Sequence, residues 1–262
     1  METLQLNWID THCHLYAAEF DQDRHEMIRR ALDAGVQEMM LPNIDLESLP
    51  VLSSLVNEYP DHCKPMMGLH PCSVREDYNE ILDQMNLEIR KGGFVGVGET
   101  GIDLYWETKF RQIQIEAFEQ QIGWAKELDL PVIIHSRESL ELNIEIIRSH
   151  QDGTLRGIFH CFGGSLEQAM QISELGFKIG IGGVITYKKS GLPELLLQLP
   201  REMLVLETDA PYLSPVPYRG KRNETSYLPL IAEKVAQSLN ISLTEVSQIT
   251  SANAREVFRK KG

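Results

Sequence analysis

The sequence is short of positive charge: 25 Lys and Arg stand against 38 Asp and Glu in 262 residues, a formal net charge of −13 at pH 7. A diffuse negative field of that size repels nucleic acid and anionic membrane surfaces, so charge alone argues against DNA as a partner. Cysteine is sparse as well. Cys13, Cys63, Cys72 and Cys161 form no C-x-x-C pair, and a chain long enough to bury a large core does not depend on disulfides, so reduced thiols are expected. No apolar run approaches the roughly 18–20 residues of a membrane span, and no low-complexity or proline-rich stretch divides the chain. Residues 1–10 carry two acids, no base and no signal-like apolar segment. These absences predict a cytoplasmic protein of one domain over 1–262, without membrane association and with no obligate protein partner evident. Also missing are a G-x-S-x-G elbow and a G-x-x-x-x-G-K-[ST] loop, which argues against a serine hydrolase or a P-loop nucleotidase.

What is present is an ordinary globular composition, 42% hydrophobic and 24% charged. Eight short apolar segments have strand character, at residues 7–10, 36–41, 65–69, 94–97, 132–134, 157–159, 177–181 and 204–206. Their centres lie about 21 to 37 residues apart, the length of a strand plus a helix. The intervening segments carry helical stripes: Ile115, Phe118, Ile122 and Ala125 recur along 111–128, and Leu228, Ile231, Val235 and Leu239 repeat the pattern. Ser242-Leu-Thr-Glu245 has the S-x-x-E form of a capping box and predicts a further helix that packs the carboxyl terminus onto the rest. Eight βα units predict an α/β fold, a closed (β/α)8 TIM barrel; an open doubly wound sheet is the competing architecture.

The first predicted strand ends in Asp10-Thr-His12-Cys-His14. Side chains alternate along a strand, so His12 and His14 share one side while Cys13 points away. Two imidazoles on one face can share a metal, although a lone H-x-H is often only a pair of polar residues at a strand exit. The other candidates fall in matching places. His70 follows strand three, Glu99 ends strand four, His135 ends strand five, His160 ends strand six and Asp209 follows strand eight. In a barrel the carboxyl ends of all strands converge on one mouth, where active sites lie, so residues from both halves of the chain can meet there. The four imidazoles of His12, His14, His135 and His160 and the carboxylates of Glu99 and Asp209 are ligands that zinc or manganese accepts. Singly, each would read as a satisfied structural residue or a helix cap. His25, His62 and His150 fall in helical or connecting segments and read as surface residues, and alternation turns Cys13 and Cys161 toward the helix layer.

Gly96-Val-Gly98-Glu-Thr-Gly101 matches G-x-G-x-x-G, but Glu99 would set a carboxylate against a pyrophosphate, and no helix opens directly after it. The glycines fit better as close-packing positions around a strand that delivers Glu99. The few cations cluster on predicted mouth loops: Arg137 after His135, Lys188-Lys189 after strand seven, and Arg219-Gly-Lys221-Arg222 after Asp209. Lys188 and Lys189 read as a solvated run. Arg222, beside Asn223-Glu224, is the expected phosphate contact, because an arginine holds a phosphate through paired hydrogen bonds.

Taken in order, Asp10-Thr-His-Cys-His14, Gly68-Leu-His-Pro71, Gly98-Glu-Thr-Gly-Ile-Asp103, His135-Ser-Arg137, His160-Cys-Phe, Glu207-Thr-Asp-Ala-Pro211 and Arg222-Asn-Glu224 resemble the TatD-type metal-dependent deoxyribonucleases of the amidohydrolase superfamily. The resemblance runs over nearly the whole chain. It implies two divalent cations, Mg, Mn or Zn: one held by His12, His14, Glu99 and Asp209, the other by Glu99 as a bridge with His135 and His160. It further implies that His70 faces the substrate or its leaving group and that Asp10 and Asp103 orient the ligands. Two departures stand out: Cys72 replaces the polar residue or histidine many members carry after His-Pro, and Thr225 replaces a frequent proline.

The expected activity is therefore metal-assisted hydrolysis of phosphodiesters, with Asp209, Glu99 and His70 as the catalytic set and Arg137 and Arg222 on the phosphate. The resemblance implies a 3′-to-5′ exonuclease acting on DNA ends, most simply single-stranded ones. The alternatives are hydrolysis of a small-molecule or aminoacyl-RNA ester, amide or phosphoester by the same residues, and a metal-dependent interaction module with a decayed site.

Overall fold

Short apolar runs alternating with amphipathic stripes become strands and helices in the computed structural model, which describes residues 6–106 and 108–259. Residues 1–5, part of the amino-terminal segment considered above, lie outside the described residues. In chain order the elements are β1 (Trp8–Asp10), α1 (Arg24–Asp33), β2 (Val36–Pro42), α2 (Leu49–Glu58), β3 (Cys63–Met67), α3 (Tyr78–Ile89), β4 (Gly96–Asp103), α4 (Arg111–Leu128), β5 (Val132–Arg137), α5 (Leu140–His150), β6 (Gly157–Phe159), α6 (Leu166–Glu174), β7 (Phe177–Ile181), α7 (Leu192–Leu196), β8 (Leu204–Leu206), α8 (Leu228–Leu239) and α9 (Leu243–Phe258). The strands pair in sequential order β1 to β8, each parallel to the next. At the seam the Thr11 N–H donates to the Leu206 carbonyl at 3.0 Å and the Asp209 N–H to the His12 carbonyl at 2.9 Å. The sheet thus curls onto itself as a (β/α)8 TIM barrel. Strand order never reverses, as a doubly wound sheet would require.

Inside the barrel Ile9, Met40, Met66, Ile133, Ile158 and Val205 form an apolar floor, and Ala254 and Val257 of α9 close it from below. Each such fully buried Ile, Val or Met contributes about 1.5–3 kcal/mol. The capping box predicted at the start of α9 is present: Ser242 Oγ accepts the Glu245 N–H at 3.2 Å, and the Glu245 carboxylate accepts the Ser242 N–H at 3.0 Å. A larger apolar cluster fills the space between strands and helices. With one end of a parallel barrel sealed by hydrocarbon, the polar residues farther along the strands gather at the other.

Strand four differs from its expected bounds. Hydrophobicity ends at Val97, yet β4 runs on through Gly98-Glu-Thr-Gly-Ile-Asp103, buried throughout, because the Glu99 and Asp103 carboxylates find partners inside the barrel. The G-x-G-x-x-G segment is therefore strand. A Cβ on Gly68, beyond β3, would sit 2.6 Å from Gly98 Cα, so bare backbone lets the β3 exit approach β4. In α4 the buried face includes Gln114 and Gln121, while Ile115 is only partly covered.

Candidate metal centre

Glu99 of β4 stands at the middle of the mouth. Its Oε2 lies 3.2 Å from Nε2 of His12 and 3.4 Å from Nε2 of His14. Its Oε1 lies 2.9 Å from Nδ1 of His135, 2.9 Å from Nε2 of His160 and 3.4 Å from Nε2 of His70. Asp209, just past β8, places Oδ1 3.5 Å from His14 Nε2 and 3.8 Å from His12 Nε2. One carboxylate thus has an oxygen facing each of two imidazole groups. Among the described residues, donors close enough to share an ion are His12, His14 and Asp209; His12, Glu99 and His160; and His70, Glu99 and His135. Donors bound to a cation at about 2.1 Å stand about 3.0 Å apart in an octahedral shell and about 3.4 Å apart in a tetrahedral one. The observed separations fall on that scale, so the donor set fits divalent cations.

Neighbouring groups decide which ring nitrogen each histidine presents. Tyr16 donates its hydroxyl proton to the Pro42 carbonyl at 2.6 Å, so its oxygen accepts the Nδ1–H of His14 at 2.9 Å and Nε2 is turned to Glu99 and Asp209. Asp103 Oδ2 holds Nε2 of His135 at 3.0 Å, which presents Nδ1 to Glu99. The buried Glu207 carboxylate lies 3.6 Å from Nδ1 of His160. A Cβ on Gly180 would fall inside the Glu207 carboxylate, so only glycine leaves room for it. His70 is arranged the other way round. The Cys72 N–H donates to its Nδ1 at 3.0 Å, so the proton sits on Nε2, and His70 offers a donor instead of a metal-binding lone pair. Asp10 accepts the Thr208 N–H at 2.9 Å, the Thr208 hydroxyl at 2.5 Å and the His12 N–H at 3.3 Å. It splices the exits of β1 and β8 and so positions His12 and Asp209 through their backbones.

Burial opposes charge on each of these groups, and mutual attraction overcomes it for most. Against burial, His160, His70 and His12 hold the Glu99 carboxyl well below its usual range. Against the same effect His14 and His160 lower that of Asp209, and His135 with the Trp106 N–H brings Asp103 down to about 2. Burial also disfavours protonation of His14 and His160; Tyr16, Asp209 and Glu99 outweigh it at His14, as Glu99 and Glu207 do at His160, and both are raised well above the ordinary value. At His12 and His70 burial prevails and the value is lowered. Protons and a cation compete for the same atoms.

Residues 9–259 match the family described as TatD related DNase. The chain belongs to this family. It is 35% identical over 251 residues to the "uncharacterized metal-dependent hydrolase YabD" of Bacillus subtilis (strain 168), covering 95% of this chain and 98% of that one. It is 31% identical over 256 residues, with the same coverages, to the "3′-5′ ssDNA/RNA exonuclease TatD" of Pectobacterium parmentieri (strain WPP163). The crystal structure of YjjV, a TatD homologue from Escherichia coli K12, superposes with a TM-score of 0.91 at 29% identity, covering 97% and 99% of the two chains. This TatD-family chain is accordingly a metal-dependent hydrolase.

In this TatD-family barrel a cavity of about 1230 Å³ opens over the centre, lined by His14, His70, Glu99, His135, His160 and Asp209, with Arg137 on the wall. Arg222 is not on that wall, and the expectation of a phosphate contact there is corrected. Its guanidinium grips Asp23 at 2.6 and 2.8 Å and lies 4.7 Å over the Phe20 ring, so the fork that would take a phosphate is already filled. Arg219 and Lys221, from the same cluster, reach the cavity instead. Cys13 is buried in the core as expected, whereas Cys161 is half-buried just past β6 with a left-handed backbone, so strand alternation does not govern it. His25 and His150 are surface residues paired with Glu58 and Glu119, and half-buried His62 bonds the Gln37 carbonyl.

Four residues of the site are given no role by the sequence reading. Tyr16 follows His14 by two positions, and Glu207 precedes Asp209 by two, a spacing that offers a signal in retrospect. The buried Gln114 and Gln121 offer none, since they sit in a helical stripe among apolar residues. Gln121 accepts the Leu69 N–H at 2.8 Å and donates to the Leu69 carbonyl at 3.3 Å; Gln114 does the same for Asp103 at 2.9 and 3.3 Å. Two turns apart on α4, they serve as strand neighbours for the backbone carrying His70 and Asp103. Among the described residues no helix is long and apolar enough to cross a membrane.

Proposed function

We propose that the protein is a divalent-metal-dependent phosphodiesterase, a 3′-to-5′ exonuclease that trims single-stranded DNA ends. The observation that carries this reading is the division of the imidazoles by the two oxygens of Glu99, which suits a pair of cations: one with His12, His14 and Asp209, the other with His135 and His160. Bound there, the cations would supply a nucleophile at neutral pH and neutralise charge on the phosphoryl group. Asp209, at the cavity wall and held anionic beside His14, accepts the proton of the attacking water. His70 directs its Nε2–H at the phosphoryl or leaving oxygen, fixed in that tautomer by the Cys72 N–H. Arg137 holds a phosphate oxygen. Two cations would bring the formal charge from −13 to −9, and the gain falls entirely at the mouth. The name of the Pectobacterium relative supports the choice of substrate, and the cavity is roomier than the roughly 300–1,000 Å³ of small-molecule sites.

The test is a timed digestion of end-labelled single- and double-stranded DNA with Mg²⁺, Mn²⁺ or Zn²⁺, against EDTA and His135→Ala controls. A ladder shortening from the 3′ end is expected. Turnover of a simple ester or amide with no cleavage of nucleic acid would sink the proposal, as would full activity of His135→Ala after metal stripping.

A further inference from the structure

The cavity wall is two-sided in charge. The loop after β4, the end of β5 and the loop after β8 bring Trp106, Arg137, Arg219 and Lys221 to it, whereas the loops after β1 and β2 bring Glu19, Asp45 and Glu47. Among the described residues Arg137, Arg219 and Lys221 have no carboxylate partner, in contrast to Arg30 and Arg222, which are paired with Glu224 and Asp23. Two of the three lie against rings instead. The Arg137 guanidinium is 4.3 Å from the Tyr105 ring centre and 5.4 Å from that of Trp106, and Arg219 is 4.5 Å from that of Tyr187. Stacking occupies the face of a guanidinium and leaves its edge N–H groups for an anion.

Trp106 is 67% exposed, while Trp8 and Trp124 are 2% and 6% exposed. Its position is set by the metal centre itself: the Asp103 carboxylate that holds His135 through Oδ2 accepts the N–H groups of Tyr105 and Trp106 through Oδ1, at 2.9 and 2.7 Å. Arg137 follows His135 by two residues on β5, on the same strand face and roughly 7 Å farther along. An exposed indole and an unpaired guanidinium are thus anchored one step from the reacting atoms.

We propose that Trp106, Arg137, Arg219 and Lys221 form a track for single-stranded nucleic acid, with Trp106 stacked on a base beside the scissile phosphate and the cations on the phosphates. The proposal rests on the phosphodiesterase reading and adds the residues that select the strand. Base faces are open only in an unpaired strand, and the second backbone of a duplex would meet Glu19, Asp45 and Glu47.

The experiment compares Trp106→Ala and Trp106→Phe with wild type on a short single-stranded oligonucleotide and on bis(p-nitrophenyl) phosphate, and titrates tryptophan emission with the oligonucleotide in EDTA. Trp106→Ala should raise the oligonucleotide KM roughly 5- to 100-fold, the worth of one stacked base, and lose about fivefold or more beyond its loss on the small diester. Trp106→Phe should recover most of the affinity. The oligonucleotide should quench wild-type emission but not that of Trp106→Phe. A Glu19→Gln, Asp45→Asn, Glu47→Gln variant should narrow the preference for single over double strands. Equal losses on both substrates, or wild-type emission untouched by the oligonucleotide, overturn the track; an unchanged strand preference in the triple variant overturns the role of the acidic arc. Quenching specific to Trp106 in a protein that hydrolyses the small diester but no nucleic acid supports the track and refutes the nuclease reading alone.

Discussion

Replacing Gln121 by leucine keeps the size of a fully buried side chain but removes both of its bonds to Leu69, the 2.8 Å acceptor for the N–H and the 3.3 Å donor to the carbonyl. Each backbone group left unpaired in the interior costs about 1–3 kcal/mol, and the added apolar contact offsets part of that, so a loss of about 2–4 kcal/mol follows. A chain of 262 residues shifts about 2 °C per kcal/mol, which places Tm about 4–8 °C below wild type. The control is Gln120→Leu on the same helix, an exposed residue bonded to Asn79, for which about 0.5 kcal/mol or less is expected. Leu69 carries His70 next in the chain, so slack there also moves the Nε2 donor away from Glu99, and kcat should fall about 10- to 100-fold with a smaller change in KM. Calorimetric melting in EDTA reads the first effect without a metal contribution, and steady-state kinetics read the second. A Gln121→Leu protein that melts within about 1 °C of Gln120→Leu would refute the reasoning.

Tyr16→Phe should lower affinity for a divalent cation about 10- to 100-fold in a metal titration, because His14 loses the acceptor that presents Nε2 to the site; a change under about threefold would count against it. Gly180→Ala should cost about 1–3 kcal/mol by forcing the Glu207 carboxylate aside, whereas Gly163→Ala, whose Cβ meets nothing within 4 Å, should be near neutral in urea unfolding. Arg222→Ala should leave the oligonucleotide KM within about twofold and cost about 1 kcal/mol near pH 7. Hydrogen bonding to Arg222 depresses the Asp23 carboxyl, so this contribution is present above the usual carboxylate pKa and fades as the pH falls through it toward the folded-state value; unfolding curves at neutral and acid pH should show the gap between variant and wild type closing. Three single-strand phosphate contacts give a slope of about −2 in log affinity against log salt, and Arg219→Ala or Lys221→Ala should each reduce it by about 0.7. Slopes unchanged by both substitutions would place the strand elsewhere.

Much of the candidate centre was legible in the chain because its residues recur at corresponding places in the βα units, within a strand or just past it. His12 and His14 come just after β1, Glu99 and His135 within β4 and β5, and His160 and Asp209 just after β6 and β8. The bounds of β4 were not legible: Gly98-Glu-Thr-Gly reads as a break in hydrophobicity, and only the partners waiting inside the barrel keep those residues in a strand. Arg222 was misread for a related reason. A sequence shows a cation near the site but not that Asp23, from the start of α1, fills its fork first.

Period and type of residue are local properties, and they determined the eightfold βα repeat, the capped terminal helix and the cluster of side chains that could hold a metal. Orientation depends on contacts that only the folded chain completes. Tyr16 turns His14 because its own hydroxyl goes to the Pro42 carbonyl, Asp103 of β4 fixes His135 of β5, and the Cys72 N–H fixes His70, while Gln114 and Gln121 of α4 hold the backbone at Asp103 and Leu69. The same holds for charge. The net −13 is a sum over the whole chain, and only the folding of the loops places Arg137, Arg219 and Lys221 on one arc of the mouth and Glu19, Asp45 and Glu47 on the other, where screening confines each to its own few ångströms.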